Sequence, residues 1–544
     1  MPLSSLLSAG EGTALTSFFS PLYLAGFLPA CLIIYSLVPN AWKKYVLLFS
    51  SYAFFWLISG KLLVFLILST FSMHFFGLWL DRLQNQMKTQ LTAAEKENKK
   101  AIKSAFVTRR RTVVLLAVLF HIGMLLVLKY SGFFAININS LFSFLNIPVQ
   151  LEIPKYLMPI GISFFTLQAV SYILDVYNGV IKADGSLFRL ALFLGFFPQI
   201  VEGPICRYRQ TADALWNVKP IQYANLSLGI QRILFGMMKK IVIADRLNPL
   251  VKNVFLKHTE YEGGVIAIAA LCYTIQLYMD FSGSMDAVMG TAQIFGIGMP
   301  ENFKRPFFSK TISEFWKRWH ITLGTWFRDY VFYPITSTKA MKRLTSSARR
   351  KIGNHYGPLL AGSAALFCVW FCNGLWHGSG WHYIFFGMYH FVLILGGNII
   401  QPIVKWTNKK LHINPEWFGY RLMQMVRTAI LVIIGELFFR AEGLRAGLQM
   451  FRTMVTQFSF TSLNNELLMK LGLDRFDFFI VGITLLIVFI ISILNERGIF
   501  IRSALAQRNI VFRWAMLYAL ILYIVVFGAY GLSYIPVDPL YAQF

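Results

Sequence analysis

Two histidines stand in surroundings that suit proton transfer. His377 lies in residues 370–390, WFCNGLWHGSGWHYIFFGMYH, at the end of an apolar run and among Gly374, Gly378 and Gly380. Those glycines let the backbone bend and approach a ligand closely. Asn373 sits one helical turn before it. A neutral imidazole takes a proton from a hydroxyl near physiological pH, which makes His377 the candidate base. His320 lies in residues 310–335, KTISEFWKRWHITLGTWFRDYVFYPI. That stretch is too polar to face lipid and too aromatic for a solvent loop. Helical spacing places Trp316, His320, Leu323 and Phe327 on one face, with Lys317, Arg318, Arg328 and Asp329 around the rest. Such a segment belongs inside the protein or beside a polar cavity. Arg328 and Asp329 also admit a structural reading, as a pair that only caps.

Other ionisable groups are less specific. His390 follows on the next helix and is a candidate for the same cavity. A zinc site built from His377 and His382 lacks a third ligand, so no metal is expected. Asp280, in QLYMDFSGSMD, either orients a histidine or pairs with a base such as Arg318. Glu436 and Arg440 have the spacing of an i,i+4 ion pair. Lys239 and Lys240 are read as marking a membrane face. His74 and His121 are single histidines in apolar runs and read as structural.

The elements that must position these groups are membrane helices. The 544 residues are 56% hydrophobic and 14% charged, where a soluble chain carries roughly a quarter charged residues. The apolar residues come in runs of about 17 to 25, enough to cross roughly 30 Å of hydrocarbon as a helix. Segments are expected near 21–38, 43–58, 60–80, 113–130, 155–177, 186–201, 222–245, 263–281, 357–375, 381–402, 419–440, 477–495 and 509–532. About eleven or twelve should be full crossings, with 186–201 re-entrant. The expected fold is therefore all-α and integral to the membrane. Residues 1–544 form one polytopic domain, with a core at about 130–440 and terminal spans plus tail at about 477–544.

The net charge of +26 does not point to nucleic acid. Its basic residues fall in short clusters between apolar runs, as in cytoplasmic loops, and no zinc-finger or bZIP pattern appears. Residues 82–111 hold nine basic residues, and 337–351 hold Lys339, Lys342, Arg343, Arg349, Arg350 and Lys351 with no acid. Both read as cytoplasmic, which puts the two termini and residues 441–476 outside. No basic n-region precedes the first apolar run, so 21–38 reads as a span rather than a cleaved signal. Five cysteines in or beside apolar runs, with no CxxC pair, argue against a disulfide framework.

Together these stretches resemble a known family, the membrane-bound O-acyltransferases. The resemblance is carried by PIGISFFTLQAVSYILDVYNG (159–179), FFPQIVEGPICRYRQ (196–210), IQLYMDFSGSMDAVMG (275–290), PENFKRPFFSKTISEFWKRWHITLGTWFRDYVFYP (300–334) and NGLWHGSGWHYIFFGMYH (373–390). It covers about residues 20–440. The branch it is most similar to comprises bacterial alginate and peptidoglycan O-acetyltransferases, related to teichoic acid D-alanyl transferases.

The resemblance implies a many-helix body with re-entrant and interfacial helices around a through-membrane tunnel, in the cell membrane. It implies that His377 and His320 are the two family histidines. A thioester donor, acetyl-CoA or a charged carrier protein, would enter from the cytoplasm, with no resident cofactor. A hydroxyl on an envelope or exported polysaccharide would accept the acyl group outside. An extracytoplasmic transferase or esterase-like partner would complete the transfer.

Related chains often end in an aromatic tail. Here Tyr541, Gln543 and Phe544 match that tail, while Pro539 and Ala542 depart from it. Tyr541 is thus a candidate acyl relay, against the plainer reading of an unstructured end. Two alternatives stand beside acetyl transfer: D-alanyl transfer toward teichoic acid, and a transporter or flippase without chemistry, since carriers also hold intramembrane His and Asp.

Overall fold

The computed structural model describes residues 18–530. They are almost wholly helical, and none of them forms a strand. Tyr541, at the tail, lies outside the described residues. Among the described residues, eight helices are long and apolar enough to cross a membrane: Asn40–Ala93, Lys99–Phe144, Gly263–Ile294, Lys339–His377, Trp381–Lys410, Phe418–Arg440, Arg475–Glu496 and Ile510–Phe527. Leu22–Leu37 and Ile162–Tyr177 are shorter apolar helices. The first of the eight is two arms, Asn40–Ser59 and Leu63–Ala93, broken by a turn at Gly60–Leu62 where Gly60 has φ 51°. The hydroxyls of Tyr52 and Thr70 meet across that turn at 3.2 Å, so the arms fold back on one another.

Several helices outrun their apolar segments. Lys99–Phe144 has 46 residues, or roughly 69 Å at 1.5 Å per residue, over twice the hydrocarbon thickness. The basic stretch at 82–111 is therefore largely a helical extension rather than coil, and 339–351 is a helical arm set off from its apolar helix by the non-helical Gly353.

The described residues fall into two compact units, 18–230 with 288–300, and 231–287 with 301–530. In the first, the segment expected to be re-entrant is a nine-residue helix, Leu187–Gly195, followed by buried non-helical chain through Arg207. Nine residues rise only about 14 Å. Irregular backbone at such depth survives only when protein covers it, and residues 196–207 are all buried. Gly161, of the PIGIS motif, fits against this turn. Its φ is 77°, and a Cβ there would lie 1.8 Å from the Ile200 carbonyl oxygen, so no other residue fits. His121 is buried, its Nε2 lying 3.3 Å from the Ser72 hydroxyl.

The helix Gly263–Ile294, which belongs to the second unit up to Ala287, is mostly buried, while few residues of Arg475–Glu496 and Ile510–Phe527 are buried, as in lipid-facing helices. Gly236 and Gly283 let their two helices touch, since a Cβ on Gly236 would sit 2.5 Å from the Gly283 carbonyl oxygen. Beside this contact lies a buried ion network. Lys239 meets Asp286 at 2.6 Å, Arg232 meets Asp286 at 2.8 Å and Glu301 at 2.7 Å, and Lys240 meets Asp280 at 2.8 Å and Asp245 at 3.0 Å. The reading of Lys239 and Lys240 as membrane-face markers is thus corrected. Both are buried, and a charge inside such a fold persists when it is paired. The expected Glu436–Arg440 pair does not form either. Arg440 lies nearest Glu442, at 3.9 Å, and over the Phe255 ring.

Candidate active site

His320 occupies a break. The expected single helix is two, Ile312–Arg318 and Ile321–Phe327. Between them His320 takes φ 45°, ψ 51°, the left-handed region. For a residue other than glycine that conformation costs on the order of 1–3 kcal/mol and needs tertiary support. Asn302 supplies it. Its carbonyl oxygen accepts from the Ile321 N–H at 2.9 Å. Its side-chain Oδ1 accepts from the Thr322 N–H at 3.1 Å and the Thr322 hydroxyl at 2.9 Å, and lies 3.2 Å from His320 Nδ1. An amide oxygen only accepts, so Nδ1 carries the proton and Nε2 is the lone-pair nitrogen. Burial lowers the pKa of this imidazole from 6.5 to about 3, so it is neutral. The neutral ring spends its one N–H on Asn302. Its remaining nitrogen, Nε2, is therefore an acceptor.

His377 ends the Lys339–His377 helix, and Gly378 continues extended. The C-terminal carbonyls of a helix favour positive charge nearby, hence an imidazole as it takes up a proton. Two glycines bring the next helix, Trp381–Lys410, close. A Cβ on Gly374 would lie 2.6 Å from the Tyr383 carbonyl oxygen, and one on Gly387 would lie 2.3 Å from that of Trp370. Gly378 is similarly filled by the Tyr383 ring, at 2.1 Å. The glycines of this motif thus serve close packing around His377.

His320 and His377 line one small cavity of about 50 Å³, with Trp316, Leu323, Phe327 and Asn373. The face read from helical spacing therefore points into one space although the helix is broken. The Trp376 ring lies between the histidines, 5.6 Å from that of His320 and 5.0 Å from that of His377. Phe281 and Phe439 close edge-on against them at 4.9 and 5.0 Å. The buried Oδ1 of Asn373 has no hydrogen-bond partner among the described residues.

The remaining candidates fall outside the cavity. His390 is fully buried behind it, and its Nδ1 accepts from the lining Trp316 Nε1–H at 3.2 Å. Asp280 neither orients a histidine nor meets Arg318. It belongs to the ion network through Lys240, while Arg318 meets Glu314 at 2.8 Å and Glu496 at 3.2 Å. Arg328 and Asp329 pair with each other at 3.0 Å, half-exposed, which favours their structural reading. The His382 ring packs on Tyr383, 4.0 Å between centroids. Asn302 had not been singled out in PENFKRP, because nothing local in that motif shows what its side chain reaches.

A model of the membrane-bound O-acyltransferase family matches residues 114–349. The probable alginate O-acetylase AlgI of Pseudomonas syringae pv. tomato is 31% identical over 80% of this chain and 74% of its own length. The peptidoglycan O-acetyltransferase of Helicobacter pylori is 27% identical over 64% of this chain and 65% of its own length. The teichoic acid D-alanyltransferase of Bacillus subtilis is 33% identical over 50% of this chain and 66% of its own length. Given the Pseudomonas syringae relative at 31% identity matched over 74% of its length, and eight helices among the described residues long and apolar enough to cross a membrane, the chain belongs to the membrane-bound O-acyltransferase family, as a multi-pass membrane acyltransferase.

Proposed function

We propose that this enzyme moves an acetyl group from a cytoplasmic thioester, acetyl-CoA or a charged carrier protein, to a hydroxyl on an envelope or exported polysaccharide. The observation that carries the reading is the shared cavity of His320, Asn373 and His377. His377 takes the proton of the attacking hydroxyl. The oxygen bonds to the thioester carbonyl carbon, the C–S bond breaks, and the thiolate leaves and is protonated by the imidazolium. His320 Nε2 accepts from a second, neighbouring hydroxyl of the acceptor sugar and so holds the attacking one in line. The Asn373 amide donates toward the carbonyl oxygen as negative charge develops there, in a dry aromatic setting where such bonds count most.

A space of about 50 Å³ suits a two-carbon group better than D-alanyl. The relatives named for O-acetyl transfer also match more of the chain than the D-alanyltransferase does. The basic stretches at 82–111 and 339–351 support a donor side in the cytoplasm by the positive-inside tendency, with both termini outside and the inner membrane as host. An extracytoplasmic transferase would receive the group there, with Tyr541 as relay.

The test is transfer by the full chain in detergent from labelled acetyl-CoA and from acetyl- and D-alanyl-charged carrier protein. Acetyl transfer that His377→Ala abolishes is expected. D-alanyl transfer alone, or substrate movement without acyl transfer, overturns the reading. Acyl adducts mapped by mass spectrometry on the wild type but absent from Tyr541→Phe support the relay, and full activity of that variant removes it.

A further inference from the structure

Away from the histidine cavity, the Lys339–His377 helix begins with a reversal. Gly353 has φ 87°, and a Cβ on Gly357 would lie 2.4 Å from Arg349 Cα, so the chain doubles back between them. The arm before the reversal holds Lys339, Lys342, Arg343, Arg349, Arg350 and Lys351, all exposed and with no acid among them. None of these six joins an ion pair among the described residues.

Just past the reversal lies an open cavity of about 360 Å³. Its wall is mostly apolar, formed by Phe332, Pro358, Leu359, Leu366 and Ile394. Its rim holds His355, whose Nε2 donates to the Asn398 carbonyl oxygen at 2.9 Å. That carbonyl is free to accept because Pro402, four residues on, has no N–H to offer. The bond ties two helices together at the cavity mouth. Leu344, Ile352 and Tyr356 stand exposed beside the basic arm.

We infer that this cavity and the basic arm form a binding site for one anionic phospholipid, its acyl chain in the cavity and its phosphate against Arg349, Arg350 and Lys351. The charge selects the occupant. Six unpaired cations next to an apolar slot complement a molecule that is anionic at one end and hydrocarbon at the other. A zwitterionic lipid leaves the cations unanswered, and a soluble phosphate makes no use of the slot. Basic clusters at the end of a spanning helix recognise acidic headgroups in general.

The test uses the full chain in nanodiscs of equimolar phosphatidylglycerol and phosphatidylcholine, with co-purifying lipid counted by native mass spectrometry. Enrichment of phosphatidylglycerol by at least fivefold is expected. The triple variant R349Q/R350Q/K351Q should bring the ratio near one. Gly362→Phe fills the cavity from a position whose Cβ would meet nothing within 4 Å, and it should halve the bound lipid or more. Acyl transfer in detergent should stay within twofold of wild type for both variants, which shows that they fold. Three results overturn the inference: no enrichment, an enrichment the triple variant keeps, or displacement of the lipid by millimolar glycerol phosphate or coenzyme A.

Discussion

Two of the places where the second unit buries polar side chains are built oppositely. Around Lys239 and Lys240 every named charge meets an opposite charge within about 3 Å. Around His320 and His377 the polar groups are amides, imidazoles and indoles that face a cavity. Phe281 joins the two regions, following Asp280 in the network and packing on the His320 ring. The difference separates scaffold from chemistry. Paired charges hold one another and leave nothing for a substrate. Amides and imidazoles on an open wall can change partners as a bond is made and broken.

The sharpest division comes from His377→Ala. If the cavity does the chemistry, transfer falls by about 10³-fold, within the usual range for a general base, while yield and thermal unfolding in detergent stay near wild type. Activity within threefold of wild type would remove His377 from the mechanism and dissolve the comparison.

Lys240→Met should do the reverse. It leaves the Asp280 and Asp245 carboxylates buried without their shared cation, a change that costs about 3–5 kcal/mol. Thermal unfolding should drop sharply, and Lys240→Met with Asp280→Asn should recover part of it. Activity per folded molecule should remain within twofold. A well-folded Asp280→Asn that has lost transfer would move the ion network into the chemistry.

Sequence patterns reached these two regions unequally, for a physical reason. Period and composition are local, so the long apolar helices, the short apolar segment within 186–201 and the shared face of Trp316, His320, Leu323 and Phe327 were legible. The break at His320 was not, because its left-handed backbone is held by Asn302, 18 residues away. Lys239 and Lys240 read as marking a membrane face because two of their three partners, Asp280 and Asp286, lie some forty residues further along the chain, and only Asp245 is near in sequence. Glu436 and Arg440 failed as a pair for the converse reason. Correct spacing permits a contact, but Arg440 turns instead to Glu442 and the Phe255 ring.

Asn302→Ala tests whether long-range support matters to the chemistry. It removes the acceptor that fixes His320 with its proton on Nδ1. A loss of about tenfold in kcat is expected, equivalent to ~1.4 kcal/mol, with KM for the donor little changed and a small drop in thermal stability. A KM effect alone would place Asn302 in donor binding rather than in holding His320.

The smallest effect belongs behind the cavity. His390 reaches the site only through the bond from Trp316 Nε1 to its Nδ1, at 3.2 Å. His390→Phe keeps a ring of similar size and removes that acceptor, an interaction worth about 1 kcal/mol. Transfer should fall three- to fivefold, with stability nearly unchanged. Gly435→Ala offers an independent route to the same place, since its Cβ would lie 2.7 Å from His390 Nε2 and push the ring toward Trp316. If both substitutions lower kcat in parallel, and His390→Phe/Gly435→Ala is no worse than either alone, the path runs through Trp316. Additive losses would mean that Gly435 acts through packing of its own helix, and His390 would then belong with the scaffold.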